Sequence, residues 1–194
     1  FALLENDPPD LLLLAGDMGL FNPGDKPVDP IDFMTQAHER LGCPVLLVPG
    51  NHEYYGADFE EARKAAKARA TPGTFVLDRD EWSASIDGHL IRVLGTTLWT
   101  DYQVSGDQRE AMRFCTHALN DHNRIGLGAG KVMPADRLIE HEKSRQWLSG
   151  KLTEEFPGMT LIMTHHVPHS MFRNPKYPLD HVSAGFISDL TDLI

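Results

Sequence analysis

Gly50-Asn51-His52-Glu53 directly follows the apolar run Val45-Leu46-Leu47-Val48, and a second apolar run, Leu11 to Ala15, ends in Gly16-Asp17. A third run, Thr160 to Thr164, ends in His165-His166. Read as strands, these runs deliver a carboxylate, a carboxamide and several imidazoles to one rim of a sheet, and open α/β sheets bind ligands beyond the carboxyl ends of their strands. That donor set suits metal-assisted hydrolysis of a phosphate ester. Such an ester resists attack because its anionic oxygens repel nucleophiles. Two metal ions about 3.5–4 Å apart neutralise those oxygens and lower the pKa of a bridging water. Asp17, with two oxygens, suits the bridge, while Asn51 and one of His165 or His166 suit the outer positions of one metal. His52 then faces the leaving group as a general acid. A Gly-Asp after a strand by itself often only closes a turn; the combination carries the argument.

The elements around these residues alternate. Asp10 to Ala15 reads as a strand covered on both faces. Asp29-Pro30 supplies an N-cap with proline at the first helical position, and the helix Ile31 to Leu41 stops at Gly42. Strand Val45 to Val48 follows, then a second crossover helix, Ala57 to Ala70, ending before Pro72-Gly73. Trp82 to Ile86, Asp87-Gly88 and His89 to Leu94 form a hairpin signal, which implies antiparallel strands on one side of a partly parallel sheet. Gly106 to Asn120 reads as helix and Asp121 to Gly130 as an exposed or lid-like loop. In that loop, Asn120 to Arg124 reads either as solvated chain or as a substrate clamp with Arg124 on a phosphate. A longer helix, Pro134 to Thr153, turns Leu138, Leu148 and Leu152 to the core. Tyr54 and Tyr55 either stack on a substrate or pack beneath the loop that carries Asn51. His169 reads as a loop residue. Asp101 reads as a turn residue or a pocket wall.

A chain of 194 residues with 41% hydrophobic content makes one sizeable domain, taken here as 1–194. The formal net charge of −10 argues against a nonspecific nucleic-acid or anionic-membrane surface. A phosphate substrate must then be attracted by something other than bulk charge, and a bound cation serves. Two cysteines, Cys43 and Cys115, are too few for a disulfide framework or a thiolate zinc site. They read as core positions in a reducing compartment. No apolar run approaches the ~20 residues of a membrane span. The expectation is a soluble, cytoplasmic protein acting on a small-molecule phosphate ester, with the oligomeric state open.

These residues resemble the calcineurin-like metallophosphoesterase superfamily. In that family a strand-end Gly-Asp supplies the bridging carboxylate, a Gly-Asn-His supplies a metal ligand and the catalytic histidine, and a later strand-end His supplies another ligand. Asp17, Asn51, His52 and His165 match residue by residue, from about Leu11 to Pro168. His165 is preferred to His166 because it is the first residue past the apolar run. Val48 to Gly56 and Leu94 to Thr100 further resemble a bacterial branch of predicted phosphohydrolases. The resemblance implies a four-layer α/β/β/α sandwich and attack by a metal-bridging hydroxide. It also implies two divalent metals, with manganese the first choice and iron or zinc the alternatives. The family also opens with Asp-x-His and closes with Gly-His-x-His, and neither motif occurs at the corresponding place here. Asp87-Gly88-His89 matches the first by letters but lies in the hairpin turn. The chain begins and stops in apparent helices, Phe1 to Leu4 and Ile187 to Ile194. It therefore reads as an internal portion of a longer phosphoesterase, incomplete at both ends. The rival is a non-catalytic protein-interaction module on a degenerate scaffold.

Overall fold

The computed structural model describes residues 2–22 and 28–194. The first half follows its local signals closely. Asp29 accepts the N–H of Ile31 at 2.9 Å, Pro30 occupies the first turn, and α2 runs Pro30–Leu41. Gly42 ends it at φ 71°, returning its N–H to the His38 carbonyl at 2.8 Å. The short helix α1, Ala2–Asn6, precedes strand β1, Leu12–Leu14. Strand β2, Val45–Leu47, helix α3, Phe59–Arg69, and strand β3, Thr74–Val76, complete the unit. The three strands are parallel in the order β1-β2-β3, with Leu13 opposite Leu46 and Leu46 opposite Phe75.

Residues of β2 alternate between two cores, as a pleated strand requires. Val45 and Leu47 pack with Leu14 and Val76 against Ile31, Met34, Phe59 and Ala66 of the two crossover helices. Leu46 and the following Val48 face the other way, onto Trp82, Val93 and Met163. Those partners belong to a second sheet, β4 (Asp80–Ile86), β5 (His89–Thr96) and β8 (Met159–Thr164). Asp87 and Gly88 make the β4–β5 turn at φ 48° and 81°, and β8 runs parallel to β5. The outer face of this second sheet carries Leu94, with Leu98 just beyond β5, against Leu148 of α6, Pro134–Thr153. Helices, sheet, sheet and helix give the four layers expected.

Several local expectations change. The hairpin does not flank the first sheet; it builds a second one, because Trp82 and Val93 bury against Leu46 and Val48. After α4, Gln108–Ala118, the stretch expected as a loop begins with a helical turn, α5, Asp121–Arg124, in which Asp121 and His122 are buried. A small hairpin follows, β6 (Gly126–Leu127) and β7 (Gly130–Lys131). Helix α6 buries Arg137, Glu140, His141 and Ser144 along with Leu148, so its inward face is largely polar, and Leu138 is only half-buried. Ile187 to Ile194 is not helical: Ile187 bridges to Val167, and turns complete the segment. At the other end, Phe1 lies outside the described residues, and Leu4 falls within α1.

Candidate active site

The loops after β1 and β2 meet the loop after β8, so the rim joins two sheets. The contact is close because two glycines have no side chain. A Cβ on Gly16, whose φ is 87°, would lie 2.6 Å from the Gly50 nitrogen; one on Gly50 would lie 2.6 Å from His165 Cε1. Asp17 also holds a left-handed φ of 57°, a conformation aspartate tolerates better than most residues. Such outliers persist only where their surroundings hold them.

Glu53 supplies much of that hold. Its carboxylate is fully buried and accepts backbone N–H groups from Asp17 and Gly50 on Oε2, at 2.9 and 2.7 Å. Oε1 accepts those of Met18 and Gly19, at 2.6 and 3.2 Å. One side chain thus ties the two loops together with four charge-assisted bonds.

Asp17, Asn51 and His165 converge on one point. Asn51 Oδ1 lies 3.2 Å from His165 Nε2, and Asp17 Oδ1 lies 3.5 Å from the same nitrogen. His165 Nδ1 sits 2.8 Å from the Ala15 carbonyl, which can only accept, so the ring proton belongs on Nδ1. A neutral His165 therefore points a lone pair at two oxygen acceptors. Two acceptor oxygens facing one nitrogen lone pair call for a cation between them, either a proton on Nε2 or a metal ion. Among the described residues no three His, Cys, Asp or Glu side chains are grouped to hold a metal; Asn51 is the third donor here. The mixed oxygen and nitrogen set fits a divalent ion.

His52 stands apart from this set, half-exposed, with Nε2 3.9 Å from Asp17 Oδ2 and its ring stacked on Tyr55 at 4.5 Å. Its backbone N–H donates to Asp17 Oδ1 at 3.2 Å. His166 turns inward: Nδ1 donates to the Thr97 carbonyl at 3.2 Å and Nε2 accepts from Arg137 Nη2 at 2.8 Å. Burial first, then the Arg137 charge, holds its pKa well below the usual imidazole value. Both its nitrogens are committed away from Asp17 and Asn51.

A profile of the calcineurin-like phosphoesterases matches residues 1–185. The chain belongs to that family. Among solved structures, a phosphopantetheinyl hydrolase from Mycobacterium tuberculosis aligns with a TM-score of 0.66 at 15% identity, covering 96% of this chain and 70% of that one. At that identity the likeness concerns the fold. No curated protein matches the chain in sequence.

Around the candidate ligands, the chain carries a buried polar network that sequence reasoning did not assemble. Asn51 Nδ2 donates to Asp121 Oδ1 at 2.7 Å, and the Tyr55 hydroxyl donates to the same oxygen at 2.6 Å. Asp121 Oδ2 pairs with Arg137 Nη1 at 3.0 Å. The Arg137 guanidinium also lies over the Trp99 ring, 4.9 Å from its centroid. Trp99 and the preceding Leu98 both hold positive φ, 55° and 69°. Thr97 Oγ1 donates to the Pro49 carbonyl at 2.7 Å, fixing this strained loop to the one before Asn51.

The solvated-chain reading of Asn120 to Arg124 is corrected at Asp121 and His122, which point inward; Arg124 stays exposed, its guanidinium over Tyr55, 5.2 Å from its centroid. Tyr54 packs in the core between Phe21 and Phe59, whereas Tyr55 lies beneath Asn51 and His52. Asp101 caps its own turn at the Gln103 N–H, and His169 does the same for Met171. One signal for the network was present in the sequence. The regular spacing of Arg137, Glu140, His141 and Ser144 on a helix with few inward leucines marks a polar buried face.

Proposed function

We propose that this phosphoesterase hydrolyses a small-molecule phosphate ester with the help of divalent metal held by Asp17, Asn51 and His165, and that His52 is its general acid. The observation that carries this reading is the approach of Asn51 Oδ1 and Asp17 Oδ1 to His165 Nε2, at 3.2 and 3.5 Å, while Nδ1 of the same ring is committed to the Ala15 carbonyl. Members of the family generally use two divalent metals. Such ions, manganese first among them, supply charge neutralisation of the phosphoryl oxygens and activation of water.

The chain's own residues do the rest. Asp17 offers Oδ1 toward His165 and Oδ2 toward His52, so one carboxylate reaches both halves of the site. The Ala15 carbonyl holds His165 in the tautomer that presents Nε2. Tyr55 stacking fixes the His52 ring plane, and the half-exposed Nε2 can deliver its proton to a departing oxygen at the rim. The overall charge of −10 gives bound cations the further task of attracting an anionic substrate. A cytoplasmic setting is supported by two buried free thiols, Cys43 and Cys115, the latter pushed up to about 11 by burial and so unreactive.

The test is calorimetric titration with Mn²⁺ beside hydrolysis of a chromogenic phosphodiester. Asp17→Ala should abolish binding, while His52→Ala should keep it and lower turnover by about 10²- to 10⁴-fold. A His52→Ala protein with unchanged turnover contradicts the assigned role. A wild-type protein that neither binds metal nor turns over substrate would indicate an interaction module instead.

A further inference from the structure

We propose that Asp121, buried between Asn51 and Arg137, is a positioning residue that decides which end of the Asn51 amide faces His165 and Asp17. The inference rests on Asn51 being a metal ligand. An asparagine side chain is nearly symmetrical in shape, so the same cavity accepts it either way round, and only its partners choose between oxygen and nitrogen. On the inner side every partner accepts. Asp121 Oδ1 has no proton to give, and the Tyr55 hydroxyl spends its own on that same Oδ1 at 2.6 Å. The Tyr55 oxygen is therefore also an acceptor toward Asn51, at 3.2 Å. Both inner contacts, 2.7 and 3.2 Å, demand the NH₂ group. Oδ1 is left to face outward, 3.2 Å from His165 Nε2.

Arg137 makes this polarity secure. It pairs with the other Asp121 oxygen at 3.0 Å, and its Nη2 is anchored on His166 and on the Gly185 carbonyl at 2.8 and 2.9 Å. Arg137 and Asp121 side chains are only 1% and 3% exposed, so water does not compete for these contacts. The result is a chain from α6 through α5 to the site: a fixed cation orients a carboxylate, the carboxylate orients an amide, and the amide presents an oxygen. Without Asp121 the amide would place NH₂ among the site's lone-pair donors, where it cannot bind a metal.

Asp121→Asn inverts the signal while preserving shape. The new amide can give its oxygen to Arg137 and its NH₂ to residue 51, which turns the Asn51 oxygen inward. Mn²⁺ affinity, measured by calorimetry on the intact protein, should fall by about 10- to 100-fold. The exchanged double variant, Asn51→Asp with Asp121→Asn, should regain most of it, because a carboxylate at 51 can accept from the amide at 121 and still offer an oxygen outward. In the metal-free protein, the side-chain amide resonances of Asn51, assigned by their loss in Asn51→Asp, should shift in Asp121→Asn. Unchanged Mn²⁺ affinity in Asp121→Asn overturns the proposal, as does a loss that the exchanged pair does not regain at equal thermal stability. A wild-type protein that binds no Mn²⁺ refutes the metal reading. Amide resonances unmoved by Asp121→Asn would then refute the orienting role too, and shifted ones would support it. If the buried Arg137 makes Asp121→Asn too unstable, Asp121→Leu with Arg137→Met removes the acceptor and the cation together, and the same fall in Mn²⁺ affinity is expected; an unchanged affinity overturns the proposal.

Discussion

Replacing Glu53 by glutamine tests whether the two glycine loops are held by charge. Glutamine has nearly the shape of glutamate but only one acceptor oxygen. Two of the four backbone N–H groups now bonded to Glu53, at 2.6 to 3.2 Å, would face an NH₂ group instead. A hydrogen bond to a charged group contributes about 1.5–3 kcal/mol net, so losing two costs about 3 kcal/mol at the low end. The low end applies because three of the four bonds are only partly buried. For a chain of this size, 1 kcal/mol moves the thermal midpoint by about 2–4 °C, which gives a fall of about 6–12 °C. Circular dichroism at 222 nm through a thermal ramp reads this directly. Mn²⁺ affinity should fall as well, because Glu53 holds the backbone N–H of Asp17. A midpoint within about 2 °C of wild type would refute the reasoning, since it would correspond to about 1 kcal/mol or less.

Gly50→Ala should abolish Mn²⁺ binding, because the new methyl would overlap Asp17 Oδ1 and lie 2.6 Å from His165 Cε1; calorimetry against a variant with wild-type far-ultraviolet signal checks it. Acid should destabilise the fold through its buried histidines. Burial lowers the pKa of His122 and of His141 in the folded state, so the unfolded chain binds more protons below about pH 6.5. Stability present above that pH is therefore lost as pH falls through it. The thermal midpoint should drop by several degrees between about pH 7.5 and 5.5, and His141→Gln should show a shallower decline.

Local chemistry made much of the architecture legible. Asp29-Pro30 and Gly42 bound α2, Asp87-Gly88 turns the hairpin, and Pro134 opens α6, because caps, turns and proline act on their immediate neighbours. The residues that form the site's rim, Asp17, Asn51, His52 and His165, were likewise readable, since a strand end dictates where the next residue emerges. Period-2 alternation in β2 holds both cores, but nothing in the strand says what covers its second face; the pairing of Leu46 with Trp82 and Val93 decided that.

The sequence by itself determined the chemical types available, the strands that deliver them and the family to which the chain belongs. Only the tertiary structure decided their state. His165 and His166 are adjacent and identical in kind, yet Ala15 fixes one toward Asp17 while Thr97 and Arg137 commit the other inward. By local pattern Asp121 belongs to a loop and Arg137 to an ordinary turn of helix. They meet because burying a charge is tolerable only against an opposite charge, and that partner comes from another part of the chain. Periodicity reports which side of an element is apolar. Which proton, lone pair or charge faces which depends on contacts between residues far apart in sequence, and no local pattern encodes them.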